Sequence, residues 1–449
     1  MFVKDKNQEK FFQSLDIFQN NLFETLIETY NDDAFCKLIA LKMSNFFASE
    51  YHFYHRHSII SSNPIQLLID PFNGCQLRCP GCVHSANKSW YELFDWPKLA
   101  LPFNRYSDFL DRFGIFASSA ILYNYGEPLL YKRFPDMVRT AKEYLLFTMA
   151  STNFSLKFDV DALVLSGIDR LLLSIDGASQ KTYQQYRRRG EFKTIIDNIV
   201  KIVEAKKRLG KDKPYLVWLY LTFEHNIDEV DKAIEMAEQL GVNEIFIYTP
   251  FDVSFDDPII KVVTSPKQGQ IVFKPFDTYC YTEEEKNAVS QRASHINAAF
   301  KESWRERVIK MGKMGKMDEP SRMTAPTCRW LYHNLTLDGA SRIMPCCIAP
   351  EIKKGIKNLV YAQFENRDSE VINSKSAVLS RQAFADRSAF LASIANRDTT
   401  DLPYCVNCKE QPIPPYSFDV ANYISAIDIK NVISPAIYTA LNQCALYNK

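Results

Sequence analysis

Three cysteines, Cys75, Cys79 and Cys82, fall within eight residues of the stretch DPFNGCQLRCPGCVHSANKSW, residues 70–90. Thiolates can ligate metals, and pairs of thiols can close disulfides. The chain has eleven cysteines. Eight fall into two groups, in a large chain whose N-terminus, MFVKDKNQEKFF, lacks a long apolar signal core. Clustering in that setting reads as metal ligation rather than a disulfide framework. Structural zinc takes four nitrogen or sulfur ligands. Only three thiols are local here, and His84, the nearby candidate for a fourth ligand, follows Cys82 by two residues. Three thiolates on a loop bearing glycine and proline can instead wrap one corner of a [4Fe–4S] cube, leaving the fourth iron open to a substrate or cofactor. The second group is Cys328, Cys346 or Cys347, Cys405 and Cys408, spaced C-x17-C and, after a long loop, C-x2-C. Four thiols suit either tetrahedral zinc or a fully ligated [4Fe–4S] cluster, and spacing alone does not choose between them.

The elements that must hold these groups follow from the apolar patterning. Candidate strands lie at 65–70, 120–126, 145–152, 170–177, 215–222 and 244–250, with helical segments near 105–113, 134–144, 158–166, 179–209 and 227–240. Strand–helix–strand at this spacing predicts a parallel sheet with right-handed crossovers. Ligands of such sheets bind at the C-terminal ends of the strands, and the three-cysteine stretch follows the first strand. Residues 1–60 read as helical, with Phe11, Leu15, Phe18, Leu22, Leu26 and Ile27 on one stripe and Cys36 on a second apolar face. Residues 251–325 contain a Gly/Pro-bearing stretch and a long helix; the aromatics Phe251, Phe255, Tyr279 and Tyr281 and the acids Asp252, Asp256 and Asp257 are available there to line a polar ligand. With 449 residues, 46% of them hydrophobic, and a formal net charge of +1, the chain can bury a large core and offers no global field for nucleic acid or an anionic membrane. No apolar run reaches the ~18 residues of a membrane span. The expectation is a cytoplasmic protein with neither nucleic acid nor membrane as partner.

The cysteine triad and its sequel resemble the radical S-adenosylmethionine (SAM) superfamily, whose signature is C-x3-C-x2-C after the first strand of a partial (β/α)6 barrel. NYGEPLL looks like that family's second-strand motif, and LSIDGASQKTYQQYRRRGEF like its fourth-strand segment. The resemblance covers roughly 65–250. It implies a [4Fe–4S] cluster on Cys75, Cys79 and Cys82 with SAM on the open iron. It further implies Tyr125, Gly126 and Glu127 near the SAM amino group, Ser174 and Arg187 near its ribose or carboxylate, and Asn153 of STN close by. Two positions depart from the pattern: Gly81 stands where an aromatic usually precedes the third cysteine, and Tyr125 where a glycine is usual. The implied chemistry is one-electron cleavage of SAM to methionine and a 5′-deoxyadenosyl radical, which abstracts an unactivated hydrogen.

The segment CRWLYHNLTLDGASRIMPCC…LPYCVNC is similar to the auxiliary-cluster modules called twitch and SPASM, with Asp338-Gly339 at a hairpin turn. This resemblance implies one auxiliary [4Fe–4S] cluster on Cys328, Cys346, Cys405 and Cys408, with Cys347 a small buried neighbour. Two extra residues before Cys346 leave room for a bulge in the hairpin. The expected fold class is α/β: a partial (β/α)6 barrel of the radical SAM type, with an N-terminal helical extension and a small C-terminal twitch/SPASM-like domain. The expected organisation is 1–60 helical extension, 61–250 core, 251–325 linker helices, 326–412 auxiliary domain and 413–449 helical tail. The leading functional expectation is net oxidation of a small sugar- or cyclitol-like metabolite, with the auxiliary cluster accepting an electron and a low-potential donor such as flavodoxin or ferredoxin supplying one. The alternatives are a maturase forming a crosslink, thioether or epimer in a ribosomal peptide, and a non-catalytic zinc or Fe–S scaffold.

Overall fold

The computed structural model describes residues 34–85, 99–250, 255, 257–264, 268–275, 283–301, 328–347, 361–366, 370–385, 392 and 405. The expected helix over 11–30, Cys408, the tail 413–449 and, of the candidate lining residues, Phe251, Tyr279, Tyr281, Asp252 and Asp256 lie outside these, as does the side chain of Cys36.

Six parallel strands run in chain order: β1 Gln66–Ile69, β2 Ser119–Ile121, β3 Phe147–Thr152, β4 Arg170–Ser174, β5 Tyr215–Leu221 and β6 Glu244–Tyr248. The intervening helices are α2 Phe103–Phe113, α3 Phe134–Lys142, α4 Val160–Leu165, α5 Gln180–Tyr186, α6 Phe192–Leu209 and α7 Val230–Gln239, after an N-terminal α1, Ala34–His55. This is the expected mixed α/β class with a large parallel sheet. The sheet is open: β7 Gly269–Val272 pairs antiparallel with β6 at one edge. At the other side β8 Asn334–Leu337 pairs parallel with β1, followed outward by β9 Arg342–Met344 and β10 Ala362–Gln363. Strands from the core, the linker region and the auxiliary segment thus share one ten-stranded sheet.

Local chemistry explains the helices. In α6, Phe192, Ile195, Ile199 and Ile202 make a buried stripe, and Gly210 closes the helix at φ +63° after Lys206, Lys207 and Arg208; cations in the last turn complement the negative end of the helix dipole. Asp159 caps α4 by accepting from the Ala162 N–H at 2.9 Å, and Ser179 caps α5 through the Thr182 N–H at 3.3 Å. Several local expectations need correcting. The single helix expected over 179–209 is two, because the chain turns at 187–191, where Arg189 takes φ +70°. The second strand stops at Ile121, and Tyr123 to Gly126 form loop. The long linker helix begins as α8 Glu283–Ala288, tightens to a 3-10 turn over 289–292 and resumes as α9 Ala293–Lys301. The hairpin register, Thr336↔Met344 and Leu337↔Ile343, is regular and carries no bulge.

Leu67 and Ile69 face the helix layer with Ala120, Ala150, Leu171 and Leu173. The opposite face presents Leu68 and Ile121, on which Trp330 of α10 (Trp330–His333) packs together with Met149 and Cys328, Cys346 and Cys347. Both faces of β1 are therefore covered, and its four residues are all buried.

Candidate functional site: a buried cysteine loop at the strand ends

The loop after β1 is fixed before any ligand enters. The Asp70 N–H donates to Leu337 O at 2.9 Å, Asn73 Oδ1 accepts from the Gly339 N–H at 3.1 Å, and the Glu127 N–H donates to Gly74 O at 2.8 Å. Gly126 is required by close approach: a Cβ there would lie 1.6 Å from the Phe72 carbonyl oxygen. The loop then presents the three thiols. Cys79 is buried and Cys75 and Cys82 half-buried, around one apolar cluster of Leu77, Tyr186, Phe223 and Ile260, with Phe255 packed against it. Burial pushes the Cys79 thiol up to about 12, against the lowering pull of the Arg187 guanidinium. Burial likewise raises Cys75, with the Glu127 charge adding to it, and raises Cys82, against N–H groups of His84 and Val83.

Glu127, 2% exposed, accepts four hydrogen bonds. They come from Thr152 Oγ1 at 2.7 Å, the Leu129 N–H at 3.1 Å, the Asn153 N–H at 2.8 Å and Asn153 Nδ2 at 2.6 Å. Burial still holds its carboxyl up at about 7. Asn153 also accepts from Gln76 Nε2 at 2.8 Å, and its amide lies 3.6 Å from Cys75 Sγ. Glu127, Asn153, Gln76 and Cys75 are therefore one network. Arg187 Nε donates to Asp176 Oδ2 at 2.5 Å and its guanidinium lies 5.0 Å from the Tyr186 ring. Burial would lower Arg187, but Asp176 and Cys79 hold it above its usual range. Ser174 Oγ meets Ser151 Oγ at 3.2 Å, at the ends of β4 and β3. Tyr125 enters through its carbonyl, which His84 Nε2 contacts at 3.1 Å.

Of the expected site residues, the fold brings Cys75, Cys79, Cys82, Glu127, Asn153 and Arg187 into one connected region, with Ser174 and Tyr125 on the same strand ends. Gln76 and the Tyr186–Phe223 pair (centroids 4.6 Å apart) were not anticipated. Gln76 adjoins Cys75 and Tyr186 adjoins Arg187 in the sequence, whereas nothing in the sequence pointed to Phe223.

Residues 69–237 match the Radical SAM superfamily. Among relatives, a probable GTP 3′,8-cyclase from Saccharolobus islandicus is 31% identical over 127 residues, 27% of this chain and 38% of that protein. An AdoMet-dependent heme synthase from Methanosarcina barkeri is 26% identical over 171 residues, 37% of this chain and 45% of that protein. The chain thus spans less than half the length of these relatives. The crystal structure of Streptococcus suis SuiB bound to S-adenosylmethionine superposes with TM-score 0.44 at 14% identity, over 91% of this chain and 87% of that one.

The chain contains a radical SAM domain.

Members of the radical SAM superfamily are enzymes, and the family implies a [4Fe–4S] cluster and SAM. The residues present fit the cluster. Three thiols share a loop largely withdrawn from water, the Leu77 N–H points at Cys75 Sγ at 3.4 Å, and N–H groups of Val83 and His84 face Cys82. Such donors stabilise thiolates.

The second cysteine set is partly assembled. Cys328 and Cys405 share a cluster with Ile60, Leu331, Tyr332 and Phe384, and Cys328 also joins Cys346 and Cys347 against Trp330. Cys347 is half-buried, as Cys346 is. Among the described residues, no helix is long and apolar enough to cross a membrane.

Proposed function

We propose that this chain is a radical SAM enzyme that oxidises a small polar metabolite by two electrons. The observation that carries the reading is the three thiols of Cys75, Cys79 and Cys82 gathered on one loop, Cys79 buried and the other two half-buried, inside the matched domain and at the C-terminal end of β1. When bound there, the cluster and SAM supply a one-electron reductive cleavage that gives methionine and a 5′-deoxyadenosyl radical able to take a hydrogen atom. The chain's own residues bind and exclude water. Cys75, Cys79 and Cys82 would ligate the cluster. Asn153, held by Glu127, fixes the Cys75 side of the loop. The backbone of Tyr125 to Glu127 and the side chains of Ser174 and Arg187 would orient SAM, with Asp176 aiming the guanidinium.

Cys328, Cys346, Cys405 and Cys408 would hold an auxiliary [4Fe–4S] cluster. Its packing side supports this role, since Cys328 and the Cys346–Cys347 doublet cover the sheet face opposite the helices. One substrate electron would leave with the abstracted hydrogen and the second would pass to the auxiliary cluster, the proton going to solvent. A low-potential donor of the flavodoxin or ferredoxin kind would supply the initiating electron. A reducing, cytoplasmic setting suits clustered thiols of this kind.

Anaerobic reconstitution tests the reading. Two cubes predict about eight irons with matching sulfide per chain, and SAM plus reductant predicts 5′-deoxyadenosine that is lost in Cys79→Ala. Two zincs without sulfide would overturn it. Product formed with SAM regenerated, or only on a peptide, would overturn the oxidation of a small metabolite.

A further inference from the structure

Arg381, on α11 (Lys375–Ala385), is 2% exposed. Its guanidinium is held entirely by neutral oxygens: Ser58 O at 2.7 Å from Nε, Ile372 O at 2.8 Å and Asn373 Oδ1 at 3.1 Å from Nη2, and Leu331 O at 3.4 Å from Nη1. No carboxylate among the described residues pairs with it. A buried cation without a counter-charge costs several kcal/mol, so an anion is owed to this place.

The surroundings say which. The Leu331 N–H donates to Cys328 O at 3.3 Å, so the carbonyl that Arg381 holds belongs to the turn that presents Cys328. Tyr361 lies in the field of both Arg381 and Cys405, and its hydroxyl is 3.9 Å from Cys405 Sγ. Tyr332 lies in the fields of Arg381, Arg56 and Cys328. Leu331 and Ile372, whose carbonyls Arg381 holds, share one apolar cluster with Tyr332, Tyr361 and two cysteines of the second set, Cys328 and Cys405. A [4Fe–4S] cube on four thiolates is anionic in its oxidised form and gains one more negative charge on reduction.

We propose that Arg381 is the buried counter-charge of the second cysteine site and biases a cluster bound there toward its reduced form. This rests on the auxiliary-cluster reading above. The couple takes one electron, supplied in the test by dithionite, and no atom moves. Arg381 is a positioning residue: it acts through the field it sets across Tyr332 and Tyr361, and makes the cluster a better electron acceptor.

The test uses the full chain with Cys75, Cys79 and Cys82 changed to alanine, leaving the second set as the iron site, compared with Arg381→Gln and Arg381→Lys in that background. Gln keeps amide donors for the carbonyls but removes the charge; Lys keeps the charge. The readouts are iron per chain and the oxidised-to-reduced ratio at a fixed potential, followed by absorbance and electron paramagnetic resonance. The expected result is that Arg381→Gln shifts that ratio at least about tenfold toward the oxidised form, ~59 mV for one electron, while Arg381→Lys stays near the parent. Iron lost from Arg381→Gln but kept by Arg381→Lys would equally support it. Gln and Lys variants behaving alike, both unchanged or both defective, would overturn it. A parent that binds no iron would instead sink the auxiliary-cluster reading.

Discussion

Asp70 closes β1 with a carboxyl that is 1% exposed and has neither oxygen hydrogen-bonded. The N–H groups of Phe72, Tyr125 and Gly126 face it without reaching hydrogen-bond geometry. Burial, reinforced by the Asp338 charge, pushes the carboxyl up to about 8 from an ordinary 3.8. The folded state therefore holds a proton that the unfolded state releases near pH 4. A raised value gives stability that is complete below the unfolded value and is lost as pH rises through the folded one. The unfolding free energy should thus decline between about pH 4 and about pH 8, and Asp70→Asn should remove much of that decline. Urea unfolding of both proteins at pH 5 and pH 8 checks this, and a difference between them that does not change with pH is the contrary result. Nothing in the sequence marked Asp70, because its peculiarity is an environment made by β1, β8 and the loop after β2. The cysteines were legible for the opposite reason: their spacing along the chain is itself the chemistry.

Among elements, the loop after β1 and the turn after β2 interlock through backbone rather than side chains. Gly126→Ala should force them apart, because its Cβ would meet the Phe72 carbonyl. We expect a loss of about 2–3 kcal/mol, at the upper end for overpacking, together with reduced iron uptake on reconstitution. Gly167 is the matched control. It has φ +77° and nothing within 4 Å of a Cβ, so Gly167→Ala should cost about 1–2 kcal/mol from the left-handed backbone and leave iron uptake intact. Equal iron uptake by the two variants would disprove the interlock. The six strands were legible because each is a short apolar run between turn residues. The break between α5 and α6 was not read, although Gly190 is a weak helix former; there the chain turns where Arg187 reaches Asp176 and Arg188 pairs with Asp257 at 2.6 Å.

At the scale of the molecule, the two ends of the sheet do different work. The C-terminal ends carry the cysteine loop. The N-terminal ends carry a charge knot: Asp169, fully buried, pairs with Lys142 and, at 2.7 Å, with Lys213, and Glu285 of α8 meets the same lysines at 3.3 and 2.9 Å. The knot ties α3, the start of β4 and the linker helix together. Asp169→Asn leaves both lysines short of charge and should destabilise the fold by about 3–5 kcal/mol, measured by urea unfolding. Iron held at Cys75, Cys79 and Cys82 per folded chain, read with the second cysteine set changed to alanine, should stay unchanged because that loop lies at the other end; a parallel loss of that iron would refute the separation.

The sequence by itself determined the parallel order of six strands, the position of the thiol triad after the first of them, and the chemistry that triad can support. Those are properties of spacing and local pattern, which survive in an unfolded chain. Only the tertiary structure decided that β8 extends the core sheet beside β1, that Glu127 is bound to Asn153, that Arg187 is aimed by Asp176, and that Arg381 lies buried behind the second cysteine set. Each depends on groups tens to hundreds of residues apart meeting away from water. There, burial and the partners at hand fix a side chain's charge and direction.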